Sequence, residues 1–263
     1  STKDGDNIAK SLLEGWRFVS KTKIVRGLVV GMVGAFMAAG AVIGLARTFV
    51  SDLGGGDAAY GVLFGSVFTG LAAGIAFGPR VLSQFSRRRL FGASLAVAGF
   101  FLVLLAIINN LVLAVLITTI LGAFSGISWV TGFTMLGMEV ENEVRGRTFA
   151  FVQSLIRVVL VAVLAIAPLI AAAVGKHRYT FYNSEVEYNG AAITILIAGV
   201  LAGLIGIISY RQMRDRPGIS LMSDIIAALS GDLAATISGH ARGVFISFEG
   251  GEGSGKSTQA KLL

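Results

Sequence analysis

The chain has 263 residues, of which 54% are hydrophobic and 14% charged, with a mean hydropathy of +0.78. Soluble domains carry about 25% charged residues, so this balance points to a polytopic helical membrane protein. There is no cysteine, which excludes disulfides, thiolate metal sites and cysteine nucleophiles, and the two histidines, His177 and His240, are too far apart to form a ligand-spaced zinc motif. The net charge of +7 sits mostly in short segments between apolar runs, a membrane orientation signal rather than a nucleic-acid footprint.

A helix needs roughly 20 apolar residues to cross about 30 Å of hydrocarbon. Six runs qualify, at 27–46, 58–78, 90–108, 111–138, 148–174 and 191–210. Asn109-Asn110 leaves room only for a tight turn between the third and fourth. Residues 175–190 read as the one longer loop. Pro168 is expected to kink the fifth span.

Lysine and arginine are divided unequally between the two sides, fifteen against three. Lys3, Lys10, Arg17, Lys21, Lys23 and Arg26 precede the first span. Arg80, Arg87, Arg88, Arg89, Arg145, Arg147, Arg211, Arg214 and Arg216 share their side. Arg47, Lys176 and Arg178 lie opposite. The expectation is a multi-pass protein of the cell membrane with both termini cytoplasmic. Glu139, Glu141 and Glu143 are expected to pair with Arg145, Arg147 or the arginine run. Glycines recur at four-residue spacing in the pairs 27/31, 40/44, 61/65, 70/74, 74/78, 122/126 and 199/203, a pattern that lets helix backbones approach.

Arg157 stands about ten residues into the fifth span, roughly 15 Å along its axis. A cation at that depth is a candidate for contact with an anionic substrate or for gating, and Gln153 shares its face one turn earlier. Snorkelling to the interface or pairing with a carbonyl is the other use open to it. An earlier helix start, near Glu143, would place Arg157 deeper. No Asp or Glu lies within any span, so no carboxylate proton relay is visible.

Three stretches carry a family resemblance: Glu14-Gly15-Trp16-Arg17-Phe18-Val19, Gly78-Pro79-Arg80 with Ser86-Arg87-Arg88-Arg89, and Arg145-Gly146-Arg147-Thr148-Phe149. Over roughly residues 10–212 the chain resembles six helices of a major facilitator superfamily transporter, most closely its C-terminal half. The family's loop between second and third helices carries an acid where this chain has Leu82. The resemblance implies transport of a small molecule across the bilayer and leaves the molecule unspecified.

Beyond the spans, Leu221, Ile225, Ile226, Leu229 and Leu233 are spaced for a short amphipathic helix. Val244–Phe248 has the residue types of a buried strand. Gly250-Gly251-Glu252-Gly253-Ser254-Gly255-Lys256-Ser257 then completes a G-x-x-x-x-G-K-[ST] phosphate loop. Its glycines would turn backbone N–H groups towards phosphate oxygens, Lys256 would charge-pair with the β- and γ-phosphates, and Ser257 would hold Mg²⁺. The string Phe245 to Gln259 is similar to the start of bacterial thymidylate kinase. That resemblance implies ATP and Mg²⁺ as cofactors, phosphoryl transfer to dTMP through Lys256, phosphate cradling from Gly250 to Thr258, and a hydrogen bond from the deoxyribose 3′-hydroxyl to Glu252.

The expected architecture is therefore an all-α membrane protein followed by the first strand, phosphate loop and helix start of an α/β kinase. Its parts would be a cytoplasmic lead-in (1–26), a six-helix transporter half (27–210), a linker (211–242) and a kinase start (243–263). Such a fusion would be an actinobacterial bifunctional transporter and dTMP kinase, cut at both ends and inactive as a piece. The alternative is a non-transporting membrane anchor for a nucleoside-monophosphate kinase.

Overall fold

Long runs of Leu, Val, Ile, Ala, Phe and Gly leave the backbone only its own carbonyls as partners inside a bilayer, and helix formation satisfies them. The computed structural model describes residues 23–81, 86–181 and 184–213. Six helices are long and apolar enough to span a membrane. They are α1 (Lys23–Asp52), α2 (Asp57–Val81), α3 (Arg87–Ile107), α4 (Leu111–Glu139), α5 (Asn142–Val174) and α6 (Gly190–Gln212). The linker, the amphipathic helix and the phosphate-loop segment expected from the sequence lie outside the described residues.

The turns follow local chemistry. After α1, Gly54 takes φ +76°, Gly54 N–H donates to Ser51 O (3.0 Å) and Gly55 N–H to Val50 O (2.9 Å). This pair of bonds satisfies carbonyls at the helix end and needs a left-handed residue, which glycine supplies. Between α3 and α4 the Asn110 side chain accepts from Leu113 N–H at 3.1 Å, an N-cap that starts α4 at once and confirms the tight turn.

Two expectations change. Hydropathy starts the fifth span at 148, whereas α5 begins at Asn142. Glu143, Arg145 and Arg147 are excluded from hydrocarbon but favour helix in water, so the helix outruns its apolar stretch. The segment read as a loop holds an antiparallel hairpin, β1 (Lys176–Phe181) with β2 (Ser184–Asn189), in a register that opposes Lys176 to Asn189 and Phe181 to Ser184. Pro168 lies inside the single helix α5.

Neighbouring helices form an open arc in the order α2, α4, α3, α6, α1, α5, with α4 also touching α1 across the arc. The two arc ends, α2 and α5, are the least buried spans, at 22% and 11% of their most apolar windows. The core has two parts. Towards the hairpin end, Leu45, Phe49, Leu63, Leu102, Leu105 and Ile195 pack together. Towards the end at which α1 starts (the entry end), Leu28, Met32, Phe91, Met135, Val152 and Ile156 do so.

Three helix pairs meet backbone to backbone; in one, a Cβ on Gly190 of α6 would strike the Ala171 carbonyl of α5. A Cβ on Gly70 or Gly74 of α2 would strike the carbonyls of Thr119 and Ala123 on α4, and one on Gly122 or Gly126 of α4 would strike those of Val67 and Leu71. Gly99 and Gly206 make the equivalent approach between α3 and α6. These seams use the small residues that substitute for a hydrophobic driving force in lipid. Gly61 and Gly65 have the same spacing, but a methyl group at either would meet nothing within 4 Å, so that face of α2 lies open.

Candidate functional site: an open face with a central cation

α5 has 33 residues, and its first turns carry the exposed charges Glu143, Arg145 and Arg147. Arg157 lies ten residues beyond Arg147, about 15 Å along the axis, or half of a roughly 30 Å hydrocarbon layer. Arg157 is the sixteenth of the 33 residues of α5, near the midpoint of the helix as well as of the apolar layer. Arg157 and Gln153 are both exposed, four residues apart on one face of α5. Val152 (0%) and Ile156 (5%) beside them are buried, which anchors the helix and fixes that face outward. Arg157 has no hydrogen bond or ion pair to any described residue.

The same stripe continues to Phe149, four residues before Gln153. Phe149 faces α4: its ring centroid is 6.2 Å from that of Phe133, and a Cβ on Gly137 would sit 3.7 Å from Phe149 Cζ. Phe133 in turn meets Trp129 at 5.4 Å, and Trp129 meets Phe36 of α1 at 5.1 Å. This aromatic series across α1, α4 and α5 is not among the features expected from the sequence. Its one legible sign is Trp129 and Phe133 at helical spacing on the fourth span.

The arginine run separates into three environments. Arg87 donates from Nη1 to Met138 Sδ (3.3 Å), Arg88 donates from Nη2 to Glu139 Oε1 (2.6 Å), and Arg89 is buried at 1% exposure. Glu139 thus pairs with the run, as its position suggests. At the opposite end Arg47 and Asp57 pair at 2.9 Å between α1 and α2.

A cavity of about 510 Å³ opens at the α4–α5 turn, with Glu139, Glu141, Glu143 and Arg145 on its wall. Arg157 is fourteen residues past Glu143, about 21 Å along the helix, so this cavity is separate from the central cation. Among the described residues no three His, Cys, Asp or Glu side chains stand close enough together to hold a metal ion. The residues expected to hold ATP and Mg²⁺ (Gly250, Gly251, Glu252, Gly253, Ser254, Gly255, Lys256, Ser257 and Thr258) lie outside the described residues.

No curated protein matches the chain. The family model described as transmembrane secretion effector matches residues 3–216, from before α1 to just past α6. The six apolar helices and that match agree: the chain belongs to the transmembrane secretion effector family of major facilitator transporters.

Proposed function

We propose that the six helices form the C-terminal half of a facilitator-type transporter and that its small-molecule solute passes along the open face where Arg157 and Gln153 stand. The observation that carries this reading is the exposed, unpaired guanidinium near mid-span on α5. A charge facing hydrocarbon there is unfavourable by about 3 kcal/mol or more, whereas one facing a water-filled path between two bundles is not. A facing six-helix bundle would close against α2 and α5, the two least buried spans.

The chain contains no cysteine, so single cysteines give a direct test. Gln153→Cys and Arg157→Cys should react with a membrane-impermeant thiosulfonate in the complete protein in native membranes. Leu204→Cys, on the exposed outer face of α6, should not. Equal inertness at all three positions would place Arg157 against lipid and remove the reading.

The entry end is assigned to the cytoplasm of the cell membrane, supported by Arg26, Arg87, Arg88, Arg145, Arg147 and Arg211 at that end. Arg147→Cys should then resist the impermeant reagent in intact cells, while Lys176→Cys reacts. The phosphate loop would lie on the side where ATP is, and residues 243–263 are read as the start of a dTMP kinase. ATP and Mg²⁺ would be held by Gly250 to Thr258, with Lys256 on the transferred phosphate. Photolabelling of the complete protein by 8-azido-ATP should be lost on Lys256→Ala, and labelling that persists would contradict the assignment.

A further inference from the structure

We infer that the solute bound at Arg157 is an amphipathic organic anion with a planar, aromatic body. The inference rests on the reading of the α5 face as the solute path and adds the chemical class. Two independent registers place the aromatic series at the depth of the cation. On α4 and α5, which run antiparallel, Gly137 lies against Phe149. Eight residues back along α4 is Trp129, and eight residues forward along α5 is Arg157, so the two stand at one depth. On α1 and α5, which run parallel, Gly40 packs on Leu160 and Val163. Four residues earlier on α1 is Phe36, and the matching position on α5 is again near Arg157.

The rings are supported from behind. Phe36, Phe133 and Phe149 pack on the entry-end core of Met32, Phe91, Met135 and Val152. Trp129 is 45% exposed, so part of its indole is free to meet a ligand. Planar rings of this kind stack on a planar apolar body.

The charge fixes the sign. Every described Asp and Glu lies at a helix end, in a turn or in the hairpin, and none is embedded beside Arg157. A neutral or cationic solute would leave the guanidinium desolvated without a counter-charge. A carboxylate, sulfonate or phosphate would supply it through two parallel N–H···O bonds. The cation thus selects the anionic head, and Phe36, Trp129 and Phe133 select the body.

In the complete protein every tryptophan other than Trp129, Trp16 included, is replaced by phenylalanine, which leaves Trp129 as the reporter. That complete protein in nanodiscs is titrated with anthracene-9-carboxylate, whose absorption overlaps tryptophan emission. Saturable quenching is expected, with anthracene-9-methanol and decanoate each binding about tenfold or more weakly, since one charge-assisted pair or one stacked ring accounts for that factor. Arg157→Gln should weaken the carboxylate about tenfold, and Arg157→Lys should fall between the two, keeping the charge but losing the second parallel bond. Thermal melting of each variant checks folding. Trp129→Leu, followed by the probe's own fluorescence, should bring anthracene-9-carboxylate down to the level of decanoate. Equal affinity for the alcohol, or no effect of Arg157→Gln, overturns the anionic assignment. Decanoate bound as well as the aromatic acid, with Trp129→Leu silent, overturns the aromatic body. Either result can occur while the thiols of Gln153→Cys and Arg157→Cys remain water-accessible, in which case the solute path stands and the class fails.

Discussion

Arg88 of α3 donates from Nη2 to Glu139 Oε1 of α4 at 2.6 Å, tying two neighbouring helices together at the entry end. The side chains are 35% and 21% exposed, so the pair is neither fully solvated nor buried. Glu139→Gln should lower stability by about 1 kcal/mol, the upper range for exposed pairs. The matching fall in Tm is about 2–4 °C for a chain of this size. The charge swap Arg88→Glu/Glu139→Arg should recover more than half of that fall in detergent. A swap no better than the single change would show that the pair contributes nothing.

The glycine seam between α2 and α4 is expected to be far less tolerant. Gly74→Val and Gly122→Val each place atoms into a facing carbonyl, of Ala123 and Val67 respectively. Backbone cannot move aside as a side chain can, so the loss should reach about 1–3 kcal/mol or abolish folding. Gly61→Ala and Gly65→Ala meet open space and should leave the Tm of the six-helix chain unchanged or slightly raised, since alanine favours helix. Loss of Tm in both sets alike would mean that the seam is not where the helices touch.

Ser66 and Thr118 share a hydrogen bond of 2.6 Å across the same helix pair. A double-mutant cycle to alanine should give a coupling of only about 0.6 kcal/mol, the average for such bonds within membranes. The two hydroxyls have two protons for three contacts, so whichever donates across the pair gives up its own helix carbonyl, Leu63 O for Ser66 or Ala114 O for Thr118, and regains it when the interhelical bond is lost. A coupling several times larger would mean that this contact, rather than the glycines, holds α2 to α4.

Gly175 ends α5 with φ +69° and ψ −159°, a region that side-chain-bearing residues avoid. Its Cβ position meets nothing within 4 Å. Gly175→Ala should therefore destabilise by about 1–3 kcal/mol through backbone strain alone. Thermal melting reads the change, and an unchanged Tm would mean that the hairpin entry adapts without that conformation.

Hydropathy locates all six spans because the bilayer imposes one length and one polarity on each. It misplaces the start of α5, since Asn142 to Arg147 are helical yet polar, while the depth of Arg157, about ten residues past that polar turn, is the same by either reading. The β1–β2 hairpin escapes it although His177, Tyr179 and Phe181 alternate with Arg178 and Thr180, a period-two pattern visible in the chain. Glycine spacing reveals which faces are small but not what they face: Gly70 and Gly74 meet α4, while Gly61 and Gly65 meet nothing described. The arginine run reads as a single boundary marker because spacing carries no information on burial, and only packing distinguishes Arg89 from Arg87. The aromatic series joins residues from three helices, a proximity that no single stretch of sequence encodes.

The contact of α2 with α4, and of α3 with α6, through main-chain atoms has a mechanical outcome. Surfaces without side chains have no rotamers to exchange, so each pair behaves as one stiff board. By contrast, α5 rests on α1 through Leu160, Val163 and Leu164 against Gly40 and Gly44, where flexible aliphatic groups can re-seat. With Ala171 near the end of α5 set against the main chain of Gly190 of α6, the α1–α5 joint is free to re-seat only about that fixed point, and it is the strip that also carries the central guanidinium.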